Sequence, residues 1–566
     1  MGSKASSQPR FRLSSETIIK QIALVLNAAN QDRIAIHFED LSLESQDQQV
    51  QVLNLFSRTS EPDAQERHES DPSSSISLSE IIPEPENEQV RVRIEDSKAS
   101  GFIYAVGSFG KDFITLTWIM LLKDNTFCQK HNVTSDTRAC VLYNEKSREE
   151  GLQEIWLRDN PSIHELLIHV NGFAPMNEYL IAPDGTSLSS QEEFLKVAAE
   201  ITHDKYEDQT EYRCEYSNAN YIFLGIILEL ITGKPLWLLV KEVVIDKLGL
   251  EETTFHENTL RGLAGERVLV EGARISSDGT RSAVDHFNHL DNIAQYASMG
   301  LRSSLRDLAK FNREILLALD GQSQLGLDEA DLEMFFKGRP MAPYGYFTEL
   351  GRDMYSESPN RHLYPDGYPH YHLGKPKTKD KAMRVAFRKA GYIDGFGCNV
   401  TLMPKRRISL IVLGNSTGPI DTTLHISNFI LQEALHLSNP VNIVQKAIEE
   451  GHVCRQTLRQ IESPEGLSQI SPQPAVDLTG TYKHQRYEQQ ITVHGDGMVT
   501  FHTGAKYSSK MNLVHIGDSM VMVLPGAKGL GFDTWSAWRE MRFQVLGFQN
   551  RPALIQPGAR YAYIKA

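Results

Sequence analysis

Eight of the ten residues from Phe113 to Leu122 are apolar, and the other two are threonines. A stretch this apolar has no solvent face, so it predicts a helix buried inside a large fold. Yet the turn that opens it, in "VGSFGKDFITLTWIMLLKDN" (106–125), carries Ser108 and Lys111, three residues apart. Positions i and i+3 share a helix face, which sets the amine beside the hydroxyl. A serine hydroxyl becomes a useful nucleophile when a neighbour accepts its proton. Burial disfavours an ammonium, so a lysine held there can serve as that base. The helix N-terminus also favours negative charge developing on the serine or its adduct. The structural alternative is a serine N-cap followed by a first-turn lysine that reaches solvent.

Two other clusters could converge with this one. Tyr216-Ser217-Asn218 stands directly before a second apolar helix in "CEYSNANYIFLGIILELITGKPL" (214–236). A tyrosine there can shuttle a proton, and an asparagine can hydrogen-bond both a lysine and a substrate amide. The plainer reading makes Asn218 an N-cap and Tyr216 a packing ring. Lys389-Ala390-Gly391 lies in "RVAFRKAGYIDGFGCNVTLMPKRRISLIVLGNS" (384–416). A strand ending in a small residue and glycine lets a ligand lie against its backbone, and offers an N–H to an oxyanion. Alone, it is equally an ordinary glycine-rich β-turn.

The chain has 566 residues, enough for two to four domains. Its net charge of −14 argues against nucleic acid or an anionic membrane as main partner. Cysteines 128, 140, 214, 398 and 454 are odd in number and lack metal-ligand spacing, so they read as reduced thiols. The polar start "MGSKASSQPRFRLSS" shows no apolar segment of a signal peptide, so a cytoplasmic protein is expected. It also fits the loose M-G-x-x-x-[ST] myristoylation pattern through Ser6. No apolar stretch reaches the length of a membrane span. The sequons at Asn132, Asn399 and Asn415 are then expected to be silent.

Along the chain, residues 14–30 read as an amphipathic helix and 33–38 as a strand, within an N-terminal region of 1–60. Residues 61–88 hold nine acidic side chains, one arginine and four prolines, and are expected to be a disordered insertion. Residues 89–440 read as one domain, with helices at 220–233, 303–319 and 421–437 and strands gathered late, at 397–404 and 408–415. That order suggests an α+β domain on an antiparallel sheet. A connecting helix and linker (441–474) lead to about eight short strands from 475 to 566, a small β-barrel or β-sandwich. The Tyr-, Pro- and His-rich stretch 343–372 is expected to wall or cover a pocket.

Taken together, the three clusters resemble the motifs of the serine β-lactamase and penicillin-binding protein superfamily. The branch they most resemble holds class C β-lactamases and related esterases and acyltransferases. Ser108–Lys111 is similar to its S-x-x-K, Tyr216–Asn218 to its Y-x-N, and Lys389–Gly391 to its K-T-G, with alanine in place of threonine. "IHELLIHVNGF" (163–173), "YASMGLRSSLRDLAKF" (296–311) and "TLMPKRRISLIVLGN" (401–415) resemble further family segments. The resemblance covers about 100–437 and extends to the small β-domain often appended. It implies an α+β β-lactamase/transpeptidase-like fold with a helical subdomain. It implies Ser108 as nucleophile, Lys111 and Tyr216 as a coupled base, Asn218 as an orienting group and Lys389 as the source of a positive field. Ala390, Gly391 and Tyr392 would form the substrate strand, and the N–H groups of Ser108 and Tyr392 the oxyanion hole. The implied substrate is a small-molecule ester, thioester or amide, in small-molecule or secondary metabolism. Hydrolysis leads, acyl transfer on the same site is the near alternative, and a catalytically idle scaffold is the alternative of another class. No metal or organic cofactor is implied, and the oligomeric state is left open.

Overall fold

The computed structural model describes residues 11–43, 50–56, 76–77, 91–95, 101–175, 191–206, 214–287, 290–291, 296–332, 346–349, 358, 360, 363–364, 371–462, 477–485, 489–496, 498–503, 507–515, 520–525, 542–548, 551–555 and 562–566. Ser6, nearly all of the acidic stretch 61–88, the linker 463–474 and most of 343–372 lie outside the described residues.

One sheet organises the larger part of the molecule. Its strands run in the order Tyr346–Glu349, Val385–Ile393, Phe396–Met403, Ile408–Gly414, Arg33–Asp40, Val50–Phe56, Arg91–Glu95, Ile76–Ser77. Every neighbouring pair is antiparallel. The strands Phe396–Met403 and Ile408–Gly414 are buried at every position, which explains their nearly unbroken apolar sequences. Alternation sends their side chains into two different cores. On one face, Ile393, Cys398 and Leu413 join Phe113 and Trp118 of the helix Gly110–Lys123, Tyr221 and Phe223 of Asn218–Thr232, and Phe311 of Leu305–Ala318. On the other, Leu410 and Val412 meet Ile18, Ile22 and Leu26 of the helix Glu16–Ala29, and Ile426 and Ile430 of Thr422–Ala434.

The N-terminal segment does not stand apart from this domain. Arg33–Asp40 pairs in register with Ile408–Gly414, from Ile34 opposite Gly414 to Asp40 opposite Ile408. The division drawn near residue 60 is therefore not a break in the sheet. Composition made the acidic stretch read as a boundary, whereas strands on both sides of it, Val50–Phe56 and Arg91–Glu95, are paired neighbours.

The C-terminal strands form a second unit. Gly480–His484 pairs on one side with Gln489–Val493 and on the other with Tyr563–Lys565, closing an eight-stranded antiparallel barrel. Closure leaves no free edge, and Tyr482 and Tyr563 are buried at 0% and 1% exposure. The hairpin from Gln489–Val493 to Met498–Thr503 turns through Asp496, whose carboxylate accepts the Met498 N–H at 3.0 Å. Among the described residues no single helix is long and apolar enough to cross a membrane.

Candidate active site

The chain approaches Ser108 along the strand Phe102–Ala105, which pairs with Arg302–Ser304. It then turns through a single 3-10 turn, Gly107–Phe109, into the helix Gly110–Lys123. Two glycines allow this elbow. Gly107 has φ +51°, and a Cβ there would lie 2.5 Å from the Tyr392 carbonyl oxygen. A Cβ on Gly391 would lie 2.0 Å from the Val106 carbonyl oxygen. The elbow and the strand Val385–Ile393 therefore touch backbone to backbone, which sets Ser108 beside Gly391 and Tyr392.

Around Ser108 the expected groups meet. Lys111, with no exposed surface, donates from Nζ to Ser108 Oγ at 3.0 Å and to the Ser298 carbonyl at 2.7 Å. Tyr216 Oη donates to the same Oγ at 2.8 Å. The Lys111 ammonium nitrogen lies 5.0 Å from the Tyr216 ring centroid and 5.7 Å from that of Tyr221. Tyr221 in turn anchors the cluster, its Oη lying 2.9 Å from Thr115 Oγ1 and 2.9 Å from the Leu167 carbonyl. Burial, with Asp112 nearby, pushes the Tyr221 phenol well above its ordinary pKa, so it stays protonated.

The Tyr216 loop is held by His169. The Glu215 N–H donates to the His169 carbonyl at 3.1 Å, and the Ser217 N–H reaches His169 Nδ1 at 3.2 Å. The His169 and Tyr216 rings lie 4.5 Å apart. Burial, and then the charges of Lys389 and Lys111, hold the imidazole well below 6.5, so it is neutral and Nδ1 accepts. Asn218 is buried at the first position of the helix Asn218–Thr232, immediately after Ser217 at the N-cap.

Lys389 is brought into the cluster but not onto Ser108. Its Nζ lies 5.9 Å from the Tyr216 ring centroid and 3.9 Å from Asp112 Oδ1, and both members of this pair are buried. Ala390 and the Tyr392 side chain alternate to the other face of the sheet, where Tyr392 Oη donates to Asp421. Only the Tyr392 backbone lies at the elbow. Among the described residues, pairing on the outer edge of this strand ends at Arg388 opposite Tyr346. The part from Lys389 onward keeps an edge toward which a substrate backbone could lie.

Besides Tyr221, three contributors were not foreseen. Asp112 follows Lys111 directly and looks like an ordinary first-turn acid. Ser298 acts through a carbonyl, which every residue type possesses. Gly107 becomes meaningful only once the strand packs on it. A separate cavity of about 660 Å³ is lined by His37, Glu39, Tyr104, Arg306 and Arg313 among others, and by none of Ser108, Lys111, Tyr216 or Lys389. The chemistry is assigned to Ser108 because there a hydroxyl meets an amine and a phenol.

Comparison with known proteins agrees with the fold. The family model for Beta-lactamase matches residues 106–434. A stretch of 128 residues is 30% identical to the "Putative D-alanyl-D-alanine carboxypeptidase" of Escherichia coli (strain K12), covering 23% of this chain and 28% of that protein. Similar solved structures include the penicillin-binding protein homologue from Pyrococcus abyssi (TM-score 0.48, 16% identity, 97% of this chain and 98% of that one). The class C beta lactamase from Rhodobacter sphaeroides is also similar (TM-score 0.44, 14% identity, 74% and 98%). Because the family model spans more than half of the sequence and contains all three motifs, the chain belongs to the β-lactamase family.

Proposed function

We propose that the protein is a serine hydrolase that forms an acyl-enzyme at Ser108 from esters or amides of small molecules. The observation that carries this reading is the double contact on one oxygen: Lys111 Nζ at 3.0 Å and Tyr216 Oη at 2.8 Å from Ser108 Oγ. In the reactive state Lys111 and Tyr216 together hold one proton fewer, as amine or as phenolate, and act as a coupled base. Ser108 Oγ attacks the carbonyl carbon while its proton passes to that pair. The N–H groups of Ser108 and Tyr392 receive the oxyanion, a contact typically worth about 3–4 kcal/mol per donor. The C–O or C–N bond then breaks as Tyr216 returns the proton to the leaving group. Water, deprotonated by the same pair, releases the acid and restores Ser108. Asn218 orients Lys111 and the substrate, and the Lys389 ammonium lies beside the Tyr216 ring, paired with Asp112.

A fluorophosphonate probe read by intact mass tests this. One adduct is expected on the protein and none on Ser108→Ala. An adduct that persists in Ser108→Ala, or no adduct on well-folded protein, would overturn the proposal.

A further inference from the structure

Asp112 has no exposed surface, Lys389 has 2%, and the two charges sit 3.9 Å apart behind the Tyr216 ring. Stability alone does not account for them, since a buried ion pair is often no better than apolar residues of the same volume. Their effect lies in the charge left for a ligand. Among the described residues at the site, Lys111, Lys389 and Asp112 are the charged groups, while His169 is neutral. In the reactive state, Lys111 and Tyr216 sum to zero after the loss of one proton. Lys389 and Asp112 also sum to zero. When Ser108 attacks, the proton gained by Lys111 and Tyr216 balances the new oxyanion. No positive charge remains over for a second anion on the substrate.

We propose that Asp112 neutralises Lys389 and so restricts the Ser108 site to acyl donors that carry no anionic group near the scissile carbonyl. This rests on the serine hydrolase reading and narrows it to neutral esters and amides. A carboxylate on the acyl chain would enter a site whose cations are already matched, and would face the oxyanion as a like charge. Without Asp112, the net charge beside Ser108 would be more positive by one, which favours such a group.

Two esters of equal chain length separate the cases: p-nitrophenyl pentanoate and mono-p-nitrophenyl glutarate, which ends in a carboxylate. The readout is the ratio of kcat/KM, neutral over anionic, each corrected for its spontaneous rate. For the natural sequence this ratio should be about 30 or more, the size expected for one uncompensated charge at this range. In Asp112→Asn it should fall about tenfold, whatever the absolute rates. In Lys389→Met, which makes the site more negative by one charge, it should rise instead, so either variant suffices should the other fail to fold. Equal turnover of the two esters by the natural sequence, or an unchanged ratio in a folded variant, would overturn the proposal and leave the hydrolase reading intact. No turnover of either ester, together with no fluorophosphonate adduct on Ser108, would overturn both.

Discussion

The strand Val385–Ile393 presents two buried polar clusters on opposite faces, and they are finished in different ways. Toward the Gly110–Lys123 helix it offers Lys389, whose partner Asp112 stands 3.9 Å away, beside a serine oxygen that two donors approach. Toward the Thr422–Ala434 helix it offers Arg388 and Tyr392. There Tyr392 donates to Asp421, whose carboxylate also takes Thr423 Oγ1 at 3.0 Å and the Leu424 N–H at 3.1 Å. Glu450 completes that side, accepting from His425, from Asn360 Nδ2 at 2.8 Å and from the Asp421 N–H at 3.3 Å. Adjacent residues of one strand thus serve one cluster whose acids are closed by hydrogen bonds and another in which an ammonium and a phenol crowd a single hydroxyl. The closed cluster holds the strand in place, and the crowded one leaves a hydroxyl that a proton acceptor can activate.

Substituting one member of each should separate activity from stability. Lys111→Met keeps the volume and removes a buried charge, so the protein should be as stable as before or more so. Its kcat/KM on an activated ester should fall about 10³-fold or more, since the nucleophile loses its base. Glu450→Ala should do the reverse. It leaves buried donors on His425 and Asn360 without their acceptor, at a cost of about 2–4 kcal/mol in urea denaturation. Its kcat/KM should change less than about tenfold, because no atom of Glu450 reaches Ser108. The contrast breaks if Lys111→Met unfolds the protein, or if Glu450→Ala loses activity as deeply as the lysine variant.

How far these clusters were legible beforehand follows from how local they are. Ser108 and Lys111 lie three residues apart, so helix geometry alone predicts their contact. The barrel is likewise built from neighbouring hairpins, and its eight strands follow the turn residues between them. Tyr216 and Lys389 lie far along the chain, and no spacing rule reaches them, so their convergence rested on resemblance to a family. Asp112 escaped notice because its partner arrives only when a strand some 280 residues away docks on the elbow. The place of Arg33–Asp40 in the sheet was hidden for the same reason, since its partner Ile408–Gly414 is remote and the nearby acidic stretch imitates a boundary. The Tyr392–Asp421–Glu450 cluster gave no signal at all. Its members are spread over three elements with no shared period, and acids with tyrosines are common at surfaces.

The smallest effect concerns acid, and it belongs to the crowded face. His169 supports the Tyr216 loop as a neutral ring, its pKa held well below 6.5 by burial and then by Lys389 and Lys111. In the unfolded chain the same ring titrates near its ordinary value, about 6.5. As pH falls through that value, the unfolded state takes up a proton that the folded state refuses. Stability present above about pH 6.5 is therefore lost on acidification, by at most about 1.4 kcal/mol per pH unit from this one group. His169→Gln cannot charge, so its urea midpoint should fall less steeply than that of the natural sequence between pH 7.5 and pH 5.5. The variant's own loss of stability at neutral pH does not matter, because the slope is what is compared. Parallel slopes would mean that His169 takes up its proton equally in the folded and unfolded chain. The charge matching inferred around Ser108 would then need to be drawn again.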